Sequence, residues 1–315
     1  LVAAKRIDLR KIKVRKMSRR KSKVARVQFA GDLSTRGVGD FVDSLPDILK
    51  SSDLKQLTSA IGSAYNRKKP VIWMFGAHLL KVGLAPVLCD VMNYGFAQQI
   101  SANNAALIHD LELAFFGKTS EDVEAALVSG EFGMTEDTAT LYRKVIDTCA
   151  DLDCGLGEAA GRVIDGNAKF ARHSVFATAL RNEIPATVHI AIGTDIVNCH
   201  PSFDGAVVGR GSQIDFEVFC HAVARLKNGG VALNVGSAVI MPEVFLKGIA
   251  VARNLDPKFG RFTTANFDMI AHYRPRQDII NRPRLLGAKS YDFVGHHEIM
   301  LPLLWANLKD KLRIS

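Results

Sequence analysis

Three short clusters and one lysine in this 315-residue chain carry residue types suited to chemistry. Gly193-Thr194-Asp195 ends an apolar run that begins at Thr187-Val188-His189-Ile190 and reads as a buried strand. Small and acidic residues past such a strand are where open α/β sheets place ligands, and a carboxylate there can accept from ribose hydroxyls or pair with an amine. An Asx turn is the plainer reading of Asp195. His109-Asp110-Leu111-Glu112 sets three ionisable groups in an otherwise apolar segment. On a helix His109 and Glu112 share a face, which suits acid/base work, a cofactor ribose, a metal, or simple anchoring of a buried helix start. No further metal ligands are nominated. His296-His297-Glu298 reads most plainly as packing histidines with an ordinary first-turn acid of the helix that follows, and as a functional reading one imidazole would accept a proton. Lys289, after the mildly apolar Leu285-Leu286-Gly287-Ala288, reads as an ordinary solvated lysine or as one suited to imine formation with a carbonyl compound.

These groups need a scaffold that gathers strand ends. Val71–Phe75 runs into Gly76-Ala77-His78, Val231–Val235 into Gly236-Ser237, and Phe262 into Thr263-Thr264-Ala265-Asn266. Apolar runs that each break at small or polar residues, separated by helical spacing, predict an α/β fold. The sheet would be doubly wound, mostly parallel and Rossmann-like, with helices on both faces. Helical spacing covers 41–67, broken near Pro46 and Ser51-Ser52, and then 79–94, 105–116 and 135–152, and a short strand is expected near 98–101. Thr119-Ser120-Glu121-Asp122 should open another helix with Thr119 or Ser120 as its cap. Gly155-Leu156-Gly157-Glu158-Ala159-Ala160-Gly161 imitates a dinucleotide fingerprint, but a helix precedes it where that motif requires a strand. Its glycines therefore read as close helix packing.

The net charge of +9 is unevenly placed. Residues 1–26 carry twelve Lys or Arg, from Lys5 and Arg6 to Arg26, against Asp8 alone, which leaves the body slightly negative. A basic arm, 1–26, and one domain, 27–315, are expected. The arm could meet RNA, an acidic protein or an anionic membrane, or pack on a neighbouring subunit. It has no aromatic residue to stack on bases, which argues against nucleic acid as partner. The five cysteines are too few and too irregular for a disulfide framework, and no apolar stretch is long enough to span a bilayer. The basic start lacks the apolar core of a secretory signal, so a cytoplasmic protein is expected.

Taken in order, the motifs between Val71 and Leu308 resemble the deoxyhypusine synthase family. The likeness rests on the small residues after the first strand, Thr194-Asp195, Asn234-Val235-Gly236-Ser237, Thr263-Thr264-Ala265, Phe267-Asp268, Arg274-Pro275 and a closing Leu301-Pro302-Leu303-Leu304. It implies an NAD pocket lined by Gly76, Ala77, His78, Ser101, Asn103, Thr194, Asp195, Gly236, Ser237 and Thr264, with Asp268 beside a substrate amine. It further implies a homotetramer that oxidises a polyamine and passes its aminobutyl group, through an enzyme lysine, to a protein lysine or a free amine. Here the nearest lysine is Lys289, several residues later than in the family and without its tryptophan. Arg274, Arg276, Arg282 and Arg284 make this segment cationic, and a polycation would be repelled there.

Two other readings follow. Ala105–Glu112 with Gly117–Ser120 is similar to a segment of NAD-dependent ornithine-cyclising enzymes. That likeness implies oxidation, cyclisation or deamination of an amino acid whose carboxylate Arg274 would hold. The last reading is a non-catalytic relative that uses its basic arm to bind a protein or nucleic acid.

Overall fold

A computed structural model describes residues 7–21, 23–33 and 36–314, so Lys5 and Arg6 of the arm lie outside the described residues. The described part of the arm is largely exposed and turns only through short 3-10 segments. It joins the body where Gly31 N donates to Ser44 O at 3.0 Å and Asp47 N to Gln28 O at 2.9 Å.

The body begins with α1 (Val38–Ser44) and α2 (Leu49–Asn66), followed by β1 (Val71–Phe75), α3 (His78–Lys81), α4 (Ala85–Asn93) and β2 (Gln99–Asn103). Five helices come next: α5 (Asn104–Phe116), α6 (Val123–Ser129), α7 (Glu136–Leu152), α8 (Leu156–Ile164) and α9 (Val175–Arg181). Then follow β3 (Ala186–His189), α10 (Gly205–Ala224), β4 (Val231–Val235), α11 (Ile240–Leu255) and β5 (Thr263–Asp268). α12 (Tyr273–Pro275), a π-helical turn over Arg276–Asn281 and α13 (Arg282–Arg284) lead to β6 (Lys289–Val294) and α14 (His297–Leu312).

Among the described residues the six strands form one sheet in the order β3-β2-β1-β4-β5-β6, and every pairing is parallel. This is a Rossmann-like α/β fold. Its strand order reverses between β1 and β4, which opens a crevice at their carboxyl ends. β1 and β4 are buried throughout because helices cover both faces, and this is why they read as unbroken apolar runs. Val71, Trp73 and Phe75 join one core with α2, α4, α5, α7, α8, α9 and α14, while Ile72 and Met74 join the other with α10, α11 and the π turn.

The less apolar strands are held by polar ladders across the sheet. Gln99 Nε2 donates to Ser101 Oγ at 3.1 Å, and Thr187 Oγ1 donates to the same oxygen at 2.8 Å. Asn234 Nδ2 donates to Asn266 Oδ1 at 2.8 Å, and Asn266 Nδ2 to Asp292 Oδ1 at 3.0 Å. Each buried polar group that gains a partner avoids a desolvation cost of about 1–3 kcal/mol.

Three expectations are corrected, the first at Thr263-Thr264-Ala265-Asn266, which lie within β5 and not past the end of a strand. The strand expected to run toward Asp195 stops at His189, and residues 190–195 form a loop. Asp195 then stands at the N-cap of the 3-10 turn Ile196–Cys199. The α6 cap is Asp122, which accepts from Ala125 N at 3.1 Å, and not Thr119 or Ser120. The false fingerprint behaves as close packing. A Cβ on Gly155 would lie 1.9 Å from Asp215 Oδ1, one on Gly157 2.1 Å from Ala186 O, and one on Gly161 2.9 Å from Phe176 O. No helix among the described residues is long and apolar enough to cross a membrane.

Candidate functional site

At the switch point the ends of β1 and β4 nearly touch. A Cβ on Gly76 would come within 2.2 Å of Gly236 O, so the two loops can pass only as glycine and bare backbone. Gly236 takes φ +65°, and a Cβ there would sit 3.1 Å from the His297 ring. Ser237 is buried, and its Oγ accepts from Met241 N at 3.2 Å in the first turn of α11. The 16-residue α11 therefore starts beside the crevice with its N–H groups facing the sheet edge.

His78 and His297 meet here, with ring centroids 5.4 Å apart. His297 Nε2 lies 3.1 Å from Phe267 O, an acceptor, so Nε2 carries the proton and Nδ1 presents a lone pair. Burial pushes the His297 pKa down, partly offset by that bond and by Asp268. His297 Nδ1, His78 Nε2 and Asp268 Oδ2 are all buried without a hydrogen-bond partner, although His272 Nε2 stands 3.9 Å from the last. Three such atoms at the ends of β1, β5 and the start of α14 suit a polar ligand. Neighbouring His296 points away from this group, largely exposed and 3.7 Å from Glu298.

A second pocket, of about 220 Å³, opens on the β2–β3 side of the same edge. It brings together His109, Glu112, Glu121, Thr194, Asp195 and Lys81. Asn103 caps α5 by accepting from Ala106 N at 3.1 Å, which sends Glu112 and His109 down one face of that helix. Asn104 Nδ2 donates to Asp195 Oδ2 at 3.2 Å, and its Oδ1 accepts from Tyr142 Oη at 2.8 Å, so the loop after β3 is tied to α5 and α7. Burial raises the Asp195 pKa, against the hydrogen bonds from Asn104 and Thr194.

Within this pocket the tautomer of His109 is determined by its neighbours. Thr119 donates its single hydroxyl proton to Glu112 Oε2, and Thr138 Oγ1 donates to Glu112 Oε1 at 2.7 Å. Thr119 Oγ1 can then only accept from His109 Nδ1, 2.5 Å away. The lone pair of His109 is thereby left on Nε2, the atom a proton acceptor needs. Burial lowers the His109 pKa, Glu112 raises it and Lys81 lowers it, so the ring is neutral near pH 7.

The other expected residues lie elsewhere. Ser101 is inside the sheet, bonded to Gln99 and Thr187. Thr264 donates to Ile279 O at 2.5 Å, facing the π turn and not the crevice. Arg274 pairs with Glu243 on α11. Lys289 is the first residue of β6, exposed and paired in register with Thr263, the first residue of β5. It therefore sits at the amino edge, across the sheet from the crevice, which corrects its expected place among the catalytic residues. Sequence reasoning missed Lys81, Glu121 and the bridging role of Thr119. Lys81 lies five residues past Gly76, on the first helix after β1, and that position was its one signal.

No family model matches the chain, and no curated protein matches it. Solved structures do. A protein described as a conserved LOR/SDH protein from Methanococcus maripaludis S2 aligns with a TM-score of 0.53 at 18% identity, over 85% of this chain and 72% of that one. The ternary complex of AgrE with ornithine and NAD+ aligns with a TM-score of 0.51 at 16% identity, over 83% of this chain and 33% of AgrE. This chain thus spans about a third of AgrE. Both likenesses establish a shared fold. A protein described as a deoxyhypusine synthase from Entamoeba histolytica reaches a TM-score of 0.49 at 12% identity. With no family model and no curated relative matching, the family expected from motif order narrows to the fold that the LOR/SDH protein shares.

Proposed function

We propose that this chain is an NAD-dependent enzyme that oxidises a small amine or amino acid at the carbon bearing nitrogen. The observation that carries the reading is the pocket in which neutral His109, with its free lone pair on Nε2, stands among Glu112, Glu121 and Asp195. Three carboxylates against Lys81 favour a cationic amine. The pocket adjoins the switch-point crevice, because α3 runs from His78 to Lys81 and four residues of helix span only about 6 Å.

The crevice fits a dinucleotide in its own way. The bare approach of Gly76 to Gly236, buried Ser237 and the N-terminus of α11 would receive the pyrophosphate. Asp195 and Glu112 would accept from ribose hydroxyls or from the substrate amine. Bound there, NAD would supply a two-electron hydride acceptor. The chain's own part is to hold the ammonium against the carboxylates and to take one nitrogen proton at His109 Nε2. The amine carbon loses a hydride, and a carbon–nitrogen double bond is left. His297 would polarise the crevice from its Nδ1 side.

The solved complex of AgrE with ornithine and NAD+ supports an amino acid such as ornithine as the substrate. Transfer of an aminobutyl group through Lys289 finds no support from its place at the amino edge. Calorimetric titration with NAD tests the reading: saturable binding is expected, and none at millimolar cofactor would overturn it. Ornithine and spermidine, followed by NADH absorbance, then separate the two substrate classes.

A further inference from the structure

The amino edge of the sheet carries a cleft of about 580 Å³ between the end of α2 and the starts of β5 and β6. Arg67, Arg261 and Lys289 reach it from three separate elements, and no carboxylate among the described residues lines it. Nearby acids are engaged elsewhere: Asp53 pairs with Lys50, and Asp256 with Lys227. Among the described residues Arg261 and Lys289 have no ionic partner, while Arg67 Nη2 donates to Asn228 O at 3.3 Å. A Cβ on Gly229, which takes φ +119°, would lie 3.0 Å from Arg67 Nη1, so glycine there lets the guanidinium lie flat on the chain. Thr263 and Tyr291 line the floor of the cleft, and Tyr291 Oη donates to Gln56 Oε1 at 3.2 Å.

We infer that this cleft binds a small multivalent anion of phosphate chemistry, at a site distinct from the crevice on the carboxyl edge. Three like charges gathered at one concavity repel each other, and an entering anion relieves that repulsion. Two arginines offer planar forks that match phosphate oxygens, and Lys289 adds a movable point charge. The cleft is larger than one phosphate group needs, so a ligand with two linked groups is the better match.

Inorganic pyrophosphate titrated calorimetrically into the full chain at low ionic strength tests this. Saturable binding below about 1 mM is expected. The double substitution Arg261→Ala with Lys289→Ala should weaken it about tenfold or more, since each exposed charge at close range contributes a few-fold. Both side chains are exposed, so the fold should be kept, and an unchanged circular dichroism melt checks this. Substituting alanine for Lys11, Lys13, Arg15 and Lys16 in the basic arm should leave the affinity within twofold. No binding at millimolar pyrophosphate, or binding lost with the arm substitutions and kept in Arg261→Ala with Lys289→Ala, would overturn the inference. Binding that the cleft substitutions leave intact would also overturn it, by assigning the anion to the crevice beside α11.

Discussion

The two edges of the sheet present opposite charges, though the same strands build both. At the carboxyl edge, on the β2–β3 side, Glu112, Glu121 and Asp195 surround a neutral imidazole. At the amino edge of β5 and β6, Arg67, Arg261 and Lys289 surround a cleft with no acid in its wall among the described residues. One edge suits an amine, the other an anion. The difference teaches that a residue's chemistry is read together with the strand end it occupies. Lys289 suggests imine chemistry by type, yet parallel pairing with Thr263 puts it a full strand away from the crevice.

The comparison breaks most visibly at Gly76. Gly76→Ala forces a Cβ onto the Gly236 carbonyl, which is backbone and cannot turn aside. A loss of about 3 kcal/mol in urea denaturation is expected, together with loss of NAD binding. An unchanged midpoint would show that the two loops are not locked together.

The next largest effect concerns the proton acceptor. His109→Ala should lower turnover by about a hundredfold while leaving NAD affinity intact. As a base His109 must be unprotonated, so the rate should fall with decreasing pH only below its ordinary value of 6.5, because burial lowers its pKa. Glu112→Gln removes the charge that raises this pKa, and the acid limb should move to lower pH. A limb that stays in place would assign the base elsewhere, with His297 the next candidate.

Buried acids on the same side sharpen the contrast through stability. Burial raises Asp215 to about 8 and Asp110 to about 6, each against hydrogen bonds that lower it. In the unfolded chain both titrate near 3.8, so the folded state binds more protons between those values and stability falls as pH rises. This contribution should extend from about pH 4 to about pH 8, but buried His189, lowered to about 3, opposes it below about pH 6.5, so the net fall is expected between about pH 6.5 and pH 8, where Asp215 is responsible. Asp215→Asn should remove up to about 1.4 kcal/mol per pH unit of that slope, measured by denaturation at several pH values. A slope that persists would mean that Asp215 is ionised in the fold.

The smallest effect is expected at the amino edge. Lys289→Ala should change turnover less than about twofold, because an exposed lysine a strand length from the reacting atoms has nothing to contact. A large loss of turnover would break the contrast between the edges and restore the lysine to the reaction.

Much of this architecture was legible in the chain. Val71–Phe75 and Val231–Val235 announce strands covered on both faces, since only such strands tolerate unbroken apolar runs. Gly155–Gly161 could be rejected as a nucleotide loop because a helix precedes it. The pairing of His109 with Glu112 follows from helical spacing alone. The length of β3 was not legible, because Ile190–Ile192 is as apolar as a strand, although the chain leaves the sheet after His189.

What the sequence alone determined is the periodicity of its strongest segments, β1 and β4 as strands and α5 and α7 as helices, and that small residues follow several strands. These are local properties of side-chain size and polarity. Only the tertiary structure decided which strand ends become neighbours, and hence that Lys81, Glu121 and Asp195 share a pocket while Lys289 does not. It also decided the proton on His109, since the hydroxyl of Thr119, ten residues on, can donate only once and Glu112 accepts that bond. Sheet order and hydrogen-bond direction depend on contacts between distant segments, and no local pattern encodes them.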